Sequence, residues 1–198
     1  MGEDRSYPAH VCMNIFVLDN NPTVAAQSLC DKHVVKMILE SAQLLSTAHR
    51  YLDGYYSTKL TKSGRKYTTY RHNNPIIDGF LYQSTMINHP CTIWTRETNS
   101  NYDWLASHAV EMCSEYTSRY GKVHTSSNLL TWLQKNRPAN LTNGPLTPFA
   151  QAMPDVYKHE DAVMAYRAYY IGAKARFAKW KNNKIPEWWV LTNTANLL

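Results

Sequence analysis

From Asp31 to Ala48 the chain reads DKHVVKMILESAQLLSTA. At about 100° per residue its polar side chains Lys32, His33, Lys36, Glu40, Gln43 and Thr47 fall within an arc of roughly 100°. Apolar side chains take most of the remaining circumference, the reverse of a surface helix with one apolar stripe and a wide wet face. The pattern predicts a helix in the middle of the fold. Its narrow polar seam must be paired or used, because burying such groups alone costs on the order of several kcal/mol. His33 and Glu40 stand seven residues apart, two turns along one face, with Lys36 between them. Bordering a cleft, these three could share protons with a substrate. The plainer alternative is that one end of the helix is exposed and the seam is its solvated side.

Around this helix the pattern predicts a mainly α fold with a small basic hairpin or loop insertion. Asn14 to Leu18 is a short apolar run, either a strand or an extended core plug. Asn21 before Pro22 marks a helix start, leading a first helical piece from Thr23 to Cys30. Tyr55 to Asn74, rich in Thr and Tyr and divided by Ser63-Gly64, reads as a two-stranded hairpin. A short helix follows over Pro75 to Tyr82, Asn88-His89-Pro90 interrupts, and Cys91 to Tyr120 is helical again up to the natural stop at Gly121. In that stretch Tyr102, Leu105, Ala109, Met112, Cys113, Tyr116 and Tyr120 share a core face, while Trp104, His108, Glu115 and Arg119 line its flank. Glu115 and Arg119 have the spacing of a surface ion pair. Lys122 to Pro154 is loop-heavy around one short helix near Leu129 to Lys135. Asp161 then caps a long last helix expected to reach Trp180, and Glu187-Trp188-Trp189 reads as an aromatic seal on the core.

A length of 198 residues without a linker predicts one domain over residues 13–198, behind a polar leader over residues 1–12. The net charge of +6 favours an anionic partner, and the cations are unevenly placed. Lys59, Lys62, Arg65, Lys66 and Arg71 form one acid-free segment; a second, between Ala162 and Pro186, carries Arg167, Lys174 and Lys181. Both are expected to meet nucleic acid, DNA above other anions, or a nucleotide. Tyr 14 and Trp 6 against Phe 4 favours aromatics with a polar handle, which suit either a core or a stacking surface. The four cysteines lie far apart and give no metal-ligand spacing, so neither a metal nor another cofactor is expected. With no signal peptide and no long apolar run, the sequence predicts a cytoplasmic protein, in the host cytoplasm if it is viral, with no membrane partner.

No phosphate-binding glycine loop, dinucleotide fingerprint, zincin motif or nucleophile elbow occurs, which leaves acid–base and electrostatic chemistry by His, Glu, Lys, Arg and Tyr. The candidate catalytic set is Glu40, His33 and Lys36, with Gln43, His89, Arg96, His108 and Arg119 as further site candidates.

The Asp31-Lys32-His33 start with Glu40 seven residues after the histidine resembles the bacteriophage pyrimidine-dimer DNA glycosylases, the phage endonuclease V type. His89, Arg119-Tyr120-Gly121, a proline-rich stretch, a basic last helix and the Pro186-to-Trp189 close follow in the same rough order, over about three quarters of the chain and as short matches. The resemblance implies a compact helical domain that grips DNA on a basic face and expels a base from the stack. It implies that Glu40 supports glycosidic-bond cleavage and the following strand scission, and that His33 is the helix histidine beside it. That family attacks the sugar through the α-amine uncovered when the initiator methionine is removed, forming an imine. This chain departs from the pattern: Met13 is followed by Asn14, too large for ready methionine removal, and twelve residues precede Met13. Lys36 is the evident substitute amine. The leading expectation is a DNA glycosylase, with or without lyase activity, acting on a damaged or modified pyrimidine. The alternatives are a transferase or hydrolase acting on a modified base or nucleotide, and a non-catalytic nucleic-acid or nucleotide binder.

Overall fold

Asp31–Leu52 is one 22-residue helix, α2, and the chain is wrapped around it. The computed structural model describes residues 14–195, with no account of the side chains of 183 and 192–195; the leader expected over 1–12 lies outside the described residues. In chain order the helices are α1 (Pro22–Gln27), α2, α3 (Pro75–Phe80), α4 (Pro90–Thr95), α5 (Asn99–Tyr120), α6 (Ser127–Lys135), α7 (Ala162–Lys174) and α8 (Glu187–Ala195). Between α2 and α3 stands an antiparallel hairpin, β1 (Gly54–Leu60) and β2 (Lys66–His72), paired from Gly54 with His72 out to Leu60 with Lys66. The fold is thus mainly α with a two-stranded sheet, as the residue pattern indicated.

The helix starts use the expected chemistry. Pro22, Pro75 and Pro90 each occupy a first turn, where their missing N–H costs nothing, and the side chains of Asn21, Asn74 and His89 accept the exposed N–H groups. Gly121 closes α5 at φ 65°, in the left-handed region that favours glycine. At Gly54 the need is close approach, since a Cβ there would stand 2.0 Å from the Arg71 carbonyl oxygen.

Helix α2 packs on α4, α5 and α6 through Met37, Ile38, Leu44, Leu45 and Ala48, with Tyr102, Leu105, Ala109 and Met112 of α5 in the same core. The hairpin is fastened to the end of α2 by the fully buried Arg50. Its guanidinium donates to the carbonyls of Tyr70, Asp78, Leu81 and Tyr82 and to the Asp78 carboxylate, which Arg71 also grips at 2.7 Å. Burial raises the Asp78 pKa, but the bonds from Arg71, the His72 N–H and Arg50 outweigh it and hold the group at about 2.

Four expectations are resolved or corrected. Asn14–Leu18 is an extended core plug with no strand partner among the described residues. The helical stretch from Cys91 to Tyr120 is two helices, because Thr98 leaves helical geometry to cap α5 through the Asn101 N–H. The helix capped by Asp161, α7, ends at Lys174 rather than Trp180 and is not the last, since α8 follows it: the Lys179 carbonyl is needed to accept the Asp31 N–H at the start of α2, and Trp180 donates to Ser28 O. Glu115 and Arg119 are buried, not a surface pair. No helix among the described residues is long and apolar enough to cross a membrane.

Candidate active site at helix α2

The polar seam of α2 is open along its first half and closed along its second. Lys32, Val35, Lys36 and Leu39 are exposed and Glu40 and Gln43 partly so, whereas every residue from Leu44 to Arg50 is buried. Glu40 therefore sits where the seam dives under the fold. Its Oε1 is 3.0 Å from Lys36 Nζ, and its Oε2 accepts the backbone N–H of Asn14 at 3.4 Å. Burial raises the Glu40 pKa against the pull of the Lys36 ammonium and the Asn14 amide. A carboxyl so placed can both take up and release a proton.

Asn14 is the residue that the sequence reading did not list for the site. It is buried, with Nδ2 donating to Ala152 O at 2.8 Å and Oδ1 accepting the Tyr166 hydroxyl at 2.7 Å and the Cys91 thiol at 3.9 Å. The plug over 14–18, the start of α4, the 150–152 segment and α7 therefore converge on the backbone nitrogen beside Glu40. The available signal was one amide side chain heading an otherwise apolar buried run. Beyond the same 150–152 segment lies a broad open depression of about 850 Å³, lined by Pro90, Phe149, Gln151, Lys158, His159 and Glu160.

His33 lies on the same helix face but faces another environment. Tyr170 Oη takes the Cys30 N–H at 3.0 Å and is hydrogen-bonded to His33 Nδ1 at 2.6 Å. The ring stacks on Phe16 at 4.3 Å and meets the edge of Phe177 at 5.5 Å. Burial first, then Lys174 and Lys36, lower its pKa to about 3. It is a neutral ring within an aromatic cage, and Phe16, whose φ is 50°, holds the cage closed.

The remaining candidates separate clearly. Gln43 continues the seam beyond Glu40, while His89 caps α4 through the Cys91 N–H. Arg96 donates to Ile87 O and lies 4.1 Å over the Tyr51 ring. His108 is completely buried, stacked on Trp104, with no hydrogen bond at either nitrogen, and burial lowers its pKa to about 3. Arg119 is locked by Glu115, Asp31 and the carbonyls of Leu29 and Gln27. Neither His108 nor Arg119 reaches the Glu40 seam in its present packing.

Of the cations, Lys62, Arg65 and Lys66 are exposed around the hairpin end and form no ion pair among the described residues. Lys59 donates to Gln83 and Arg71 to Asp78. Arg167 donates to Leu18 O and reaches Asp19, Lys174 donates to the Tyr169 hydroxyl, and Lys181 lies 4.5 Å over the Tyr120 ring.

His49, Asp53 and His72 bring ligand-type atoms within 4.8 Å of one another. His72 Nδ1 accepts the Asn74 N–H, so its neutral ring carries the proton on Nε2, facing Asp53 where a metal would need a lone pair. The Asp53 oxygens accept the N–H groups of Ala139 and Asn140. The donor set does not fit a metal; it is a clamp that fastens the 139–140 loop to α2.

Comparison with known proteins matches residues 13–128 to the pyrimidine dimer DNA glycosylase family. No curated protein and no solved structure matches the chain.

Proposed function

Because the chain belongs to the pyrimidine dimer DNA glycosylase family, we propose that it removes a damaged or modified pyrimidine from DNA, with Glu40 as its acid–base group. The observation that carries this reading is a half-buried carboxyl of raised pKa bonded to an exposed amine at the open edge of the seam. The Lys36 Nζ, once its proton passes to Glu40, attacks sugar C1′. The C1′–N bond breaks, its electron pair leaves with the base, and the base takes up a proton. Opening of the sugar ring leaves C1′ joined to nitrogen as an imine, from which loss of a C2′ proton expels the 3′ phosphate and cuts the strand. His33, closed in its aromatic cage away from Glu40, takes no proton-transfer step in this reading.

A second reading of the amine has its own support. The Asn14 nitrogen is the other nitrogen bonded to Glu40, and it becomes an α-amine if the chain is cut after Met13. Incubation with a duplex carrying an ultraviolet-induced pyrimidine dimer, followed by borohydride, tests both. Glycosylase action predicts nicking and a trapped covalent adduct, and peptide mapping of that adduct to Lys36 or to Asn14 decides the nucleophile. Absence of base release, nicking and adduct on dimer-bearing and base-modified duplexes overturns the reading and favours a binder or a different base-directed reaction.

A further inference from the structure

Glu40 and Tyr51 are eleven residues apart on α2, which returns them to within about 20° of the same face and separates them by about 16 Å. Between them the Thr47 hydroxyl accepts the Thr85 N–H, so the 84–88 segment roofs the seam, which re-emerges at Tyr51. There three tyrosines form a ladder from α2 across both strands of the hairpin. Tyr51 lies 5.2 Å from Tyr70, Tyr70 lies 6.0 Å from Tyr56, and Arg96 backs the series from 4.1 Å over Tyr51. Tyr56 is 62% exposed and Tyr51 38%. Beside the ladder is a pocket of about 380 Å³ whose walls include Thr68, Tyr70, Thr85 and Asn88, groups able to bond the edge of a base. No acid occurs between Asp53 and Asp78, while Lys62, Arg65 and Lys66 lie exposed on the same hairpin.

We propose that the Tyr51–Tyr70–Tyr56 ladder and this pocket are a stacking platform for an unpaired DNA strand, distinct from the Glu40 site. Aromatic rings beside unpaired cations suit a single strand, because every base offers a face to stack while the phosphates demand positive charge. A duplex hides those faces, and an acidic peptide would meet the cations but brings no continuous series of flat rings to stack on the tyrosines. Resting on the reading of Glu40 given above, the spacing of about 16 Å places the platform roughly five nucleotides from the reacting sugar. The platform would then favour lesions next to a gap, fork or bubble.

The test is fluorescence anisotropy of the full chain with a ten-nucleotide dT oligomer, its rU counterpart and a fully paired duplex, for the unaltered protein, Tyr51→Ala, Tyr56→Ala and Tyr56→Phe. Each alanine change is expected to weaken dT binding about tenfold, and duplex binding less than twofold, while Tyr56→Phe retains dT binding. Unchanged thermal melting of the variants confirms that the loss is local. The proposal is overturned if dT binding does not respond, if duplex binding falls equally, or if rU binds tighter than dT. Nicking of a dimer-bearing duplex, fully paired or with a gap five nucleotides away, separates the two readings. Tyrosine-dependent dT binding with no base release, nicking or trapped adduct on dimer-bearing and base-modified duplexes supports the platform and removes the glycosylase, and nicking with tyrosine-independent dT binding does the opposite.

Discussion

Two helix carboxylates in this fold share one spacing, a glutamate with a cation four residues away, before it at Glu40 and after it at Glu115, and have opposite fates. Glu115 on α5 is 4% exposed and is gripped at 2.9 Å by both Arg119 and Lys184. Arg119 in turn spends its remaining donors on Asp31 and two carbonyls. Glu40 on α2 has one side-chain partner, Lys36, whose side chain is 58% exposed. A saturated pair fastens elements together; a pair with room on one side has unused hydrogen-bonding capacity and can exchange a proton. The spacing is common to both, and the surroundings decide between structure and chemistry.

The largest expected effect is therefore a crossed result from one isosteric change at each site. Glu40→Gln should lower base release by about 10²- to 10⁴-fold. Its melting temperature at pH 7.5 should stay the same or rise, because a buried carboxyl of raised pKa opposes folding above its ordinary titration range. Glu115→Gln should cost about 3 kcal/mol of stability by leaving Arg119 and Lys184 short of a buried partner. Its turnover per folded molecule should be little changed. Urea unfolding and single-turnover nicking together check both, and loss of stability in Glu40→Gln would erase the contrast.

Acid separates satisfied from unsatisfied buried groups more finely. The pKa values of His33 and His108 are lowered to about 3 and that of His49 to about 4, chiefly by burial, from an ordinary 6.5. A depressed folded pKa means that the unfolded chain binds more protons between those values, so the stability is complete above pH 6.5 and is lost as the pH falls toward 3–4. At pH 5 this amounts to about 2 kcal/mol per histidine. His108→Leu should flatten the fall and raise the stability at neutral pH, since it removes two polar atoms that have no partner. Melting curves at pH 7 and pH 5 test this, and an unchanged pH dependence in the variant would return the burden to His33 and His49.

How far the sequence could be read follows from the same distinction between spacing and surroundings. The α2 seam, the hairpin, the helix start at Asn21-Pro22 and the Gly121 stop were legible because each depends on neighbours in the chain. The end of α7 was not, because the Lys179 carbonyl is claimed by a residue 148 positions earlier. Around Glu40 the helix face showed Lys36, but the approach of Asn14, pinned by Ala152 and Tyr166, depends on contacts far away in sequence. His33 shared the right face, and its neutrality arises from burial, among neighbours such as Phe16 and Tyr170 that periodicity cannot bring together, and then from the Lys174 and Lys36 charges.

The smallest effect concerns cations, where the locked and the free again part company. Lys66 and Lys174 look alike in sequence, each in an acid-free basic segment. Lys66 is exposed on the hairpin, whereas Lys174 is half-buried, its Nζ 3.0 Å from the Tyr169 hydroxyl and 4.5 Å above that ring. A free ammonium can release a counterion from a phosphate, but one already held by a hydroxyl and a ring must first give up those contacts. Lys66→Ala should reduce the slope of log affinity against log salt by about 0.9 on duplex DNA, alike for all sequences. Lys174→Ala should change that slope less and instead lower the melting temperature by loosening α7 against the plug at Phe16. Equal slopes for the two variants, measured by titration across several salt concentrations, would make Lys174 a phosphate contact as well and extend the DNA-facing surface from the hairpin to α7.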